Sequence, residues 1–307
     1  MFGDSVNLAE KIDELKKRDD MVVLAHNYQL PEIQDIADHM GDSLELCYLA
    51  QSLDAEIIVF AGVAFMAESA LILNPDKTVL IPEMDAHCPM AGMLKPETIV
   101  QKKEEFPDAA LVLYGNTTAM AKAEADVICT SANSARIVNS LEEEMVLFGP
   151  DKNLRHWTQK QTDKELIPVP DLGYCYVHNS LITLKDVMDL KALHPDALVL
   201  VHPECLPEVQ DTADEVLSTN GMLRVAKSSS ADEFIIGTEK EMCYRLSREL
   251  PDKRFYGVER AVCRDMKKVT LERLYSVMRD KSNKMTLPED IIERARTPLQ
   301  RMLDLSR

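Results

Sequence analysis

The chain has 307 residues, 46% of them apolar and 28% charged, and its 35 basic against 52 acidic side chains leave a net charge of −17. Such a surface repels phosphate backbones and anionic lipid, which excludes nucleic-acid or membrane-surface binding as the main task, although a local site can still hold a small anion. Apolar runs such as 57–67 are far shorter than a bilayer span, no charged segment followed by an apolar stretch opens the chain, and a cytoplasmic protein is expected. Seven cysteines, an odd number with no CxxC or CxxxCxxC spacing, argue against a disulfide framework, a zinc ribbon or a radical-enzyme site. GxGxxG, P-loop and HExxH motifs are absent.

In chain order, Leu8, Ile12 and Leu15 recur at helical spacing over 7–18, and the apolar run 22–25 predicts a buried parallel strand. Pro31 suits a helical first turn, 38–40 a short strand, and Ser43 an N-cap for a helix over 44–53. Strand 57–61, helix 65–73 and strand 78–81 follow, then a loop, MDAHCPMAGM, that carries Cys88. Helix 97–105 precedes strands 110–114, 127–129, 145–148 and 166–169, after which PDLGYCYVH carries Cys175. Helix 184–193 precedes strands 198–201, 216–217, 234–236 and 255–257, after which ERAVCRDM carries Cys263. Helix 271–278 looks like the start of a fourth copy that stops.

That order is one pattern written three times. LPEIQDIAD at 30–38 returns as LPEVQDTAD 176 residues later. AALVLYGN at 109–116 matches ALVLVHPE at 197–204, and the Ala-Asp pairs at 37–38, 125–126 and 213–214 are spaced by the same 88 residues. A fixed period predicts three homologous units, 1–93, 94–180 and 181–269, with 270–307 packing beside the first. Each unit alternates helix and strand. The fold class expected is therefore α/β, three αβα units with small parallel sheets about a pseudo-threefold axis.

Ligands of such sheets bind beyond the carboxyl ends of the strands. Equivalent polar residues fall there: His26, Tyr114 and His202, then Tyr28, Asn116 and Glu204. Ser43, Ser131 and Thr219 follow the second strand of each unit, and each is read as a hydroxyl opening a helix whose free N–H groups suit carboxylate or phosphate. A single strand-end histidine, packed tyrosine or turn glutamate is bland; polar residues in triplicate about an axis make a pocket. Tyr28 and Glu204 can carry protons, whereas Asn116 can only hydrogen-bond. Cys88, Cys175 and Cys263 stand 87 and 88 residues apart, each in a loop after the last strand of its unit. The matching phase makes them metal ligands. Cys47, Cys129 and Cys243 are read as small buried hydrophobes, and Cys205 has no repeat partner. Three thiolates suit zinc or an iron–sulfur cluster. A [4Fe–4S] cluster held by three would leave one iron free as a Lewis acid. His87 and His178, flanking two of the cysteines, keep zinc open.

Over essentially its full length the chain resembles the quinolinate synthases. The carrying segments, in order, are AHNYQ (25–29), GDS (41–43), FMAES (65–69), YGNTTA (114–119), TSANS (130–134), GYCYVH (173–178), HPEC (202–205), STNGM (218–222) and GTE (237–239). The resemblance implies an oxygen-sensitive [4Fe–4S] cluster, one per chain, ligated by Cys88, Cys175 and Cys263 with one iron not ligated by protein. It implies condensation of iminoaspartate (iminosuccinate) with dihydroxyacetone phosphate to quinolinate, a precursor of NAD. It assigns His26, Ser43, Tyr114, Asn116, Ser131, His178, His202, Glu204, Ser218 and Thr219 to substrate binding, and proton transfer to Tyr28 and Glu204. L-aspartate oxidase or aspartate dehydrogenase would be a functional partner. The chain departs from the family pattern locally, with DAHCPMAG where DAGCSMAD is expected and CRDMKK where CPNMKK is commoner. Neither change removes a ligand. Two other classes stay open: another open-iron hydro-lyase, and a non-enzymatic iron–sulfur sensor of oxygen or iron. A sensor has no need of a triplicate polar pocket.

Overall fold

The computed structural model describes residues 2–306. Its strands form three separate four-stranded sheets. The first comprises β1 (Met21–His26), β2 (His39–Gly41), β3 (Ile57–Ala61) and β4 (Thr78–Leu80). The second comprises β5 (Ala110–Tyr114), β6 (Val127–Cys129), β7 (Met145–Gly149) and β8 (Glu165–Pro168), and the third β9 (Leu198–Val201), β10 (Glu215–Val216), β11 (Glu233–Gly237) and β12 (Arg254–Gly257). Every pairing is parallel, and in each sheet the unit's strands run in the order second, first, third, fourth. Central strands such as MVVLAH and ALVLY are buried at every position because helices cover both faces. The protein is α/β, with three αβα units as the repeat implied.

Two sets of hydrogen bonds show how closely the units correspond. At the start of each sheet an aspartate carboxylate accepts a strand N–H: Val23 to Asp38 (2.8 Å), Leu111 to Asp126 (2.7 Å) and Val199 to Asp214 (2.8 Å). The repeated Ala-Asp pair is therefore a clamp between the first two strands. At the other end, the segment after the third strand pins the segment that carries the cysteine. Ala64 N donates to Ala86 O (2.8 Å), Lys152 N to Gly173 O (2.8 Å) and Lys240 N to Ala261 O (2.9 Å). In every unit the cysteine stands two residues after that pinned carbonyl. The one-residue slip in the cysteine spacing thus lies upstream of the loops and leaves the sulfurs in phase. Gly173 allows the close approach, since a Cβ there would fall 2.0 Å from Pro150 O.

The helix starts correct one expectation. Ser43 is the first residue of its helix, not the cap; Asp42 is the cap, its carboxylate accepting from Glu45 N at 3.1 Å. Ser218, not Thr219, caps Thr219–Ser228, accepting from Gly221 N at 3.2 Å. Ser131 lies in a turn ahead of Ser134–Asn139, where Asn133 Oδ1 accepts from Thr130 N at 2.6 Å. A better acceptor one residue earlier takes the capping bond in two units, and the following hydroxyls line the cavity, that of Thr219 accepting from Asn27 Nδ2 at 2.9 Å.

The tail divides. Leu271–Asp280 buries Leu274, Val277 and Met278 with Ile12 and Leu15 of Phe2–Arg18, against the first sheet. Lys284 bridges Leu80 in antiparallel fashion, and Met285 N donates to Val79 O at 2.8 Å, so the tail closes the β4 edge. The last helix, Glu289–Leu305, then reaches beyond the first unit and buries Leu299, Met302 and Leu303 with the core of the second. Among the described residues, no helix is long and apolar enough to cross a membrane.

Candidate active site

The carboxyl ends of the three sheets meet around one cavity with an empty volume of about 720 Å³, mouth included. The loops that leave the first strands are held by equivalent side chains. Gln34 Nε2 donates to Gln29 O (2.8 Å) and Asn27 O (3.2 Å), and Gln210 Nε2 to Cys205 O and Pro203 O (both 2.8 Å). Lys122, the second unit's counterpart, is fully buried and donates to Thr117 O. The glutamine in the repeated LPE(I/V)QD stretch is thus a staple for the loop before it. So fixed, His26, Tyr28, Tyr114, Asn116, His202 and Glu204 all line the cavity, as do Ser43, Ser131, Thr219, His178 and the three phased cysteines. Ser218 does not; it caps its helix and hydrogen-bonds Asp42 of the cavity wall. His87 is exposed and lies off the cavity wall, which separates it from any metal held there.

Burial decides the charge state of the wall. His26 and His202 are pushed down to about 3 by desolvation, only partly offset by Glu204, and are neutral. Their Nδ1 atoms accept from backbone, His26 from Tyr28 N at 3.2 Å and His202 from Glu204 N at 3.3 Å. That leaves the proton on Nε2, which in His202 stands 3.2 Å from Ser131 Oγ. Glu204 is raised by burial, but the adjacent His178 and the hydrogen bonds from His178 and Tyr114 overcome this and hold it down at about 2, an anion. Its Oε2 is 2.8 Å from His178 Nδ1, and its Oε1 accepts from Tyr114 O–H at 2.6 Å. Tyr28 is raised well above the ordinary phenol value by burial and then by Glu204, so it keeps its proton.

Thr238 links these groups, and the repeat gave no hint of it. Its Oγ1 is 2.6 Å from Tyr28 Oη and 2.8 Å from His178 Nε2. A continuous hydrogen-bonded line therefore runs from Tyr28 through Thr238 and His178 to Glu204 and Tyr114. The counterparts of Thr238 are Gly62 and Pro150, which carry no side-chain donor, so matching the units passes over it. The segment GTE was the one signal that contained it.

A family model described as quinolinate synthetase A protein matches residues 10–304. The chain belongs to this family. It is 52% identical over 302 residues to the quinolinate synthase of Pyrococcus abyssi, covering 98% of this chain and all of the relative. It is 51% identical over 300 residues to that of Methanothermobacter thermautotrophicus, with 97% and 98% covered. Quinolinate synthase 2 of Methanosarcina acetivorans is 47% identical over 300 residues, with 97% and 96% covered. In this quinolinate synthase family member the cysteines form a donor set that suits a metal or iron–sulfur cofactor. The three sulfurs lie close enough to act on one another's charge. Burial pushes Cys88 up to about 12 and raises Cys175 and Cys263, so thiolates there need a cationic partner. Each cysteine also opens a helical turn. Its carbonyl accepts the N–H four residues on: Gly92 at 3.3 Å, Asn179 at 2.9 Å and Lys267 at 3.3 Å. Backbone N–H groups of Met90 and Ala91, of His178, and of Asp265 and Met266 lie near enough to the respective sulfurs to favour the thiolate. Such donors stabilise cluster sulfur.

Proposed function

We propose that the chain condenses iminoaspartate with dihydroxyacetone phosphate to quinolinate, releasing phosphate and water, on the route to NAD. Family membership supports the activity, and the observation that carries the residue roles is the line Tyr28–Thr238–His178–Glu204–Tyr114 along the wall that holds the three cysteines. Cys88, Cys175 and Cys263 would hold a [4Fe–4S] cluster, one per chain. When bound, that cluster supplies a Lewis-acid iron without a protein ligand.

The other steps belong to side chains. Both substrates are anionic, and the wall offers neutral donors: the Nε2–H of His26, the hydroxyls of Ser43, Ser131 and Thr219, and the Asn116 amide. His202 acts through Ser131, donating to Oγ so that the serine O–H turns toward a carboxylate. Donors that carry no charge bind anions here without leaving an unpaired cation when the pocket is empty. Ring closure needs protons moved between carbon and oxygen more than once. Tyr28, kept protonated, gives one to a leaving oxygen, and the hydrogen-bonded line through Thr238 and His178 is the path by which it is restored. Glu204, ionised at the far end of that line, can accept a proton released in the cavity, with the Tyr114 O–H donating to its Oε1. Iminoaspartate hydrolyses in water, so an enzyme such as L-aspartate oxidase or aspartate dehydrogenase would supply it. A cytoplasmic setting keeps the thiols reduced.

The test is an anaerobic assay for quinolinate with cluster-loaded protein. Quinolinate formation that needs both substrates is the expected result. Loaded protein that makes none would overturn the proposal.

A further inference from the structure

We propose that, in cluster-free protein, Cys175, His178 and Glu204 form a second metal site that binds zinc(II) and, by engaging Cys175, blocks assembly of the cluster. Their sulfur, Nδ1 and carboxylate oxygen all lie within 4.8 Å of one another. His178 Nδ1 is 2.8 Å from Glu204 Oε2 and 3.2 Å from Cys175 Sγ. Zinc bonds of about 2.0–2.3 Å in a tetrahedron hold their donors roughly 3–4 Å apart. The ion would take the place of the proton between His178 and Glu204 after small side-chain rotations.

Three further features fit zinc. One thiolate and one carboxylate neutralise a divalent ion, which a buried wall requires. His178 Nε2 already has a hydroxyl partner in Thr238 at 2.8 Å, the kind of outer contact that orients a metal-bound imidazole. The second oxygen of Glu204 is held by Tyr114 at 2.6 Å, which leaves Oε2 for the metal. The fourth position faces the cavity and is open to water. Binding through Nδ1 releases the thiol proton of Cys175 and leaves the imidazole proton on Nε2, toward Thr238. Cys88 and Cys263 lie outside this set. From the proposed function the inference borrows only that the cluster uses Cys175.

The experiment uses full-length protein prepared without iron or oxygen and titrated with zinc(II) against a chromophoric chelator, and separately with cobalt(II). Charge-transfer absorption of the cobalt form counts thiolates. Expected are one metal per chain with the intensity of one thiolate, and wild type preloaded with zinc that takes up iron and sulfide only after chelation. Thr238→Val should weaken zinc about 10–100-fold, and Glu204→Gln and His178→Ala should weaken it further. Cys88→Ala should keep zinc affinity while losing iron and sulfide, and circular dichroism confirms that each variant is folded. Three-thiolate intensity, or loss of zinc by Cys88→Ala with Glu204→Gln unaffected, would overturn the proposal and assign zinc to the three cysteines. The iron and sulfide content of Cys88→Ala reports on the cluster reading alone, so the two readings can fail separately.

Discussion

The two ends of the three sheets have been treated differently by the same repeat. At the amino end, Asp38, Asp126 and Asp214 make one hydrogen bond three times, within 0.1 Å of each other. At the carboxyl end, Tyr28, Asn116 and Glu204 occupy one phase with three chemistries. Identity across units marks what every sheet needs in order to form; divergence marks what the shared cavity needs, because an axis brings the three versions together as one asymmetric site. The staples show the intermediate case, with Gln34 and Gln210 alike and Lys122 doing the same task with a charge.

The contrast can be broken at several strengths. The largest effect should come from the cysteine loops. Cys88→Ala, Cys175→Ala or Cys263→Ala should each abolish the cluster by iron and sulfide analysis, while Cys47→Ala and Cys243→Ala should retain it. A cluster that survives any of the first three variants would remove that cysteine from the ligand set. Next come the diverged positions. Glu204→Gln and Tyr28→Phe should keep the cluster and still bind a quinolinate-like diacid, yet lose about 10²–10⁴ in turnover. Ser131→Ala and Thr219→Val should weaken binding more than they slow the bound complex. Steady-state kinetics beside equilibrium binding separates the two classes, and near-normal turnover in both Glu204→Gln and Tyr28→Phe would end the proton-transfer assignment.

Acid should act through the strand-end histidines. Folded His26 and His202 sit at about 3, below their ordinary value of 6.5, so their contribution to stability is complete above pH 6.5 and is lost as pH falls toward 3. The loss should run at about 1.4 kcal/mol per pH unit for each histidine, and His26→Gln should flatten the slope of denaturant stability against pH. An unchanged slope would mean that His26 accepts protons in the folded state. The smallest effect belongs to the repeated clamp. Asp38→Asn, Asp126→Asn and Asp214→Asn should each lose up to about 1.5–3 kcal/mol, by similar amounts, with turnover intact. Strongly unequal losses would show that the three clamps are not equivalent in energy.

Much of this was legible because the period could be read before any element was assigned. The apolar runs gave the central strands, and the phase gave all three cysteines and the polar triplets. Caps were misplaced by one residue because Ser43 and Thr219 look like good caps, and only geometry shows that Asp42 and Ser218 outcompete them. Thr238 escaped because its counterparts are Gly62 and Pro150. A residue that acts in one unit alone leaves no trace in a comparison among units. The reach of Glu289–Leu305 into the second core was equally hidden, since nothing in the repeat corresponds to it.

That tail has a consequence for how the molecule is made. The first unit to leave the ribosome is the one whose edge is closed by Lys284 and Met285, near the end of the chain. The second unit likewise waits for Leu299 and Met302 to cover it. Until residues 284–303 emerge, the growing chain carries two incomplete cores. Translation therefore sets the earliest moment at which either core can close, and loss of residues 284–303 would leave the first-made unit unfinished along with the second.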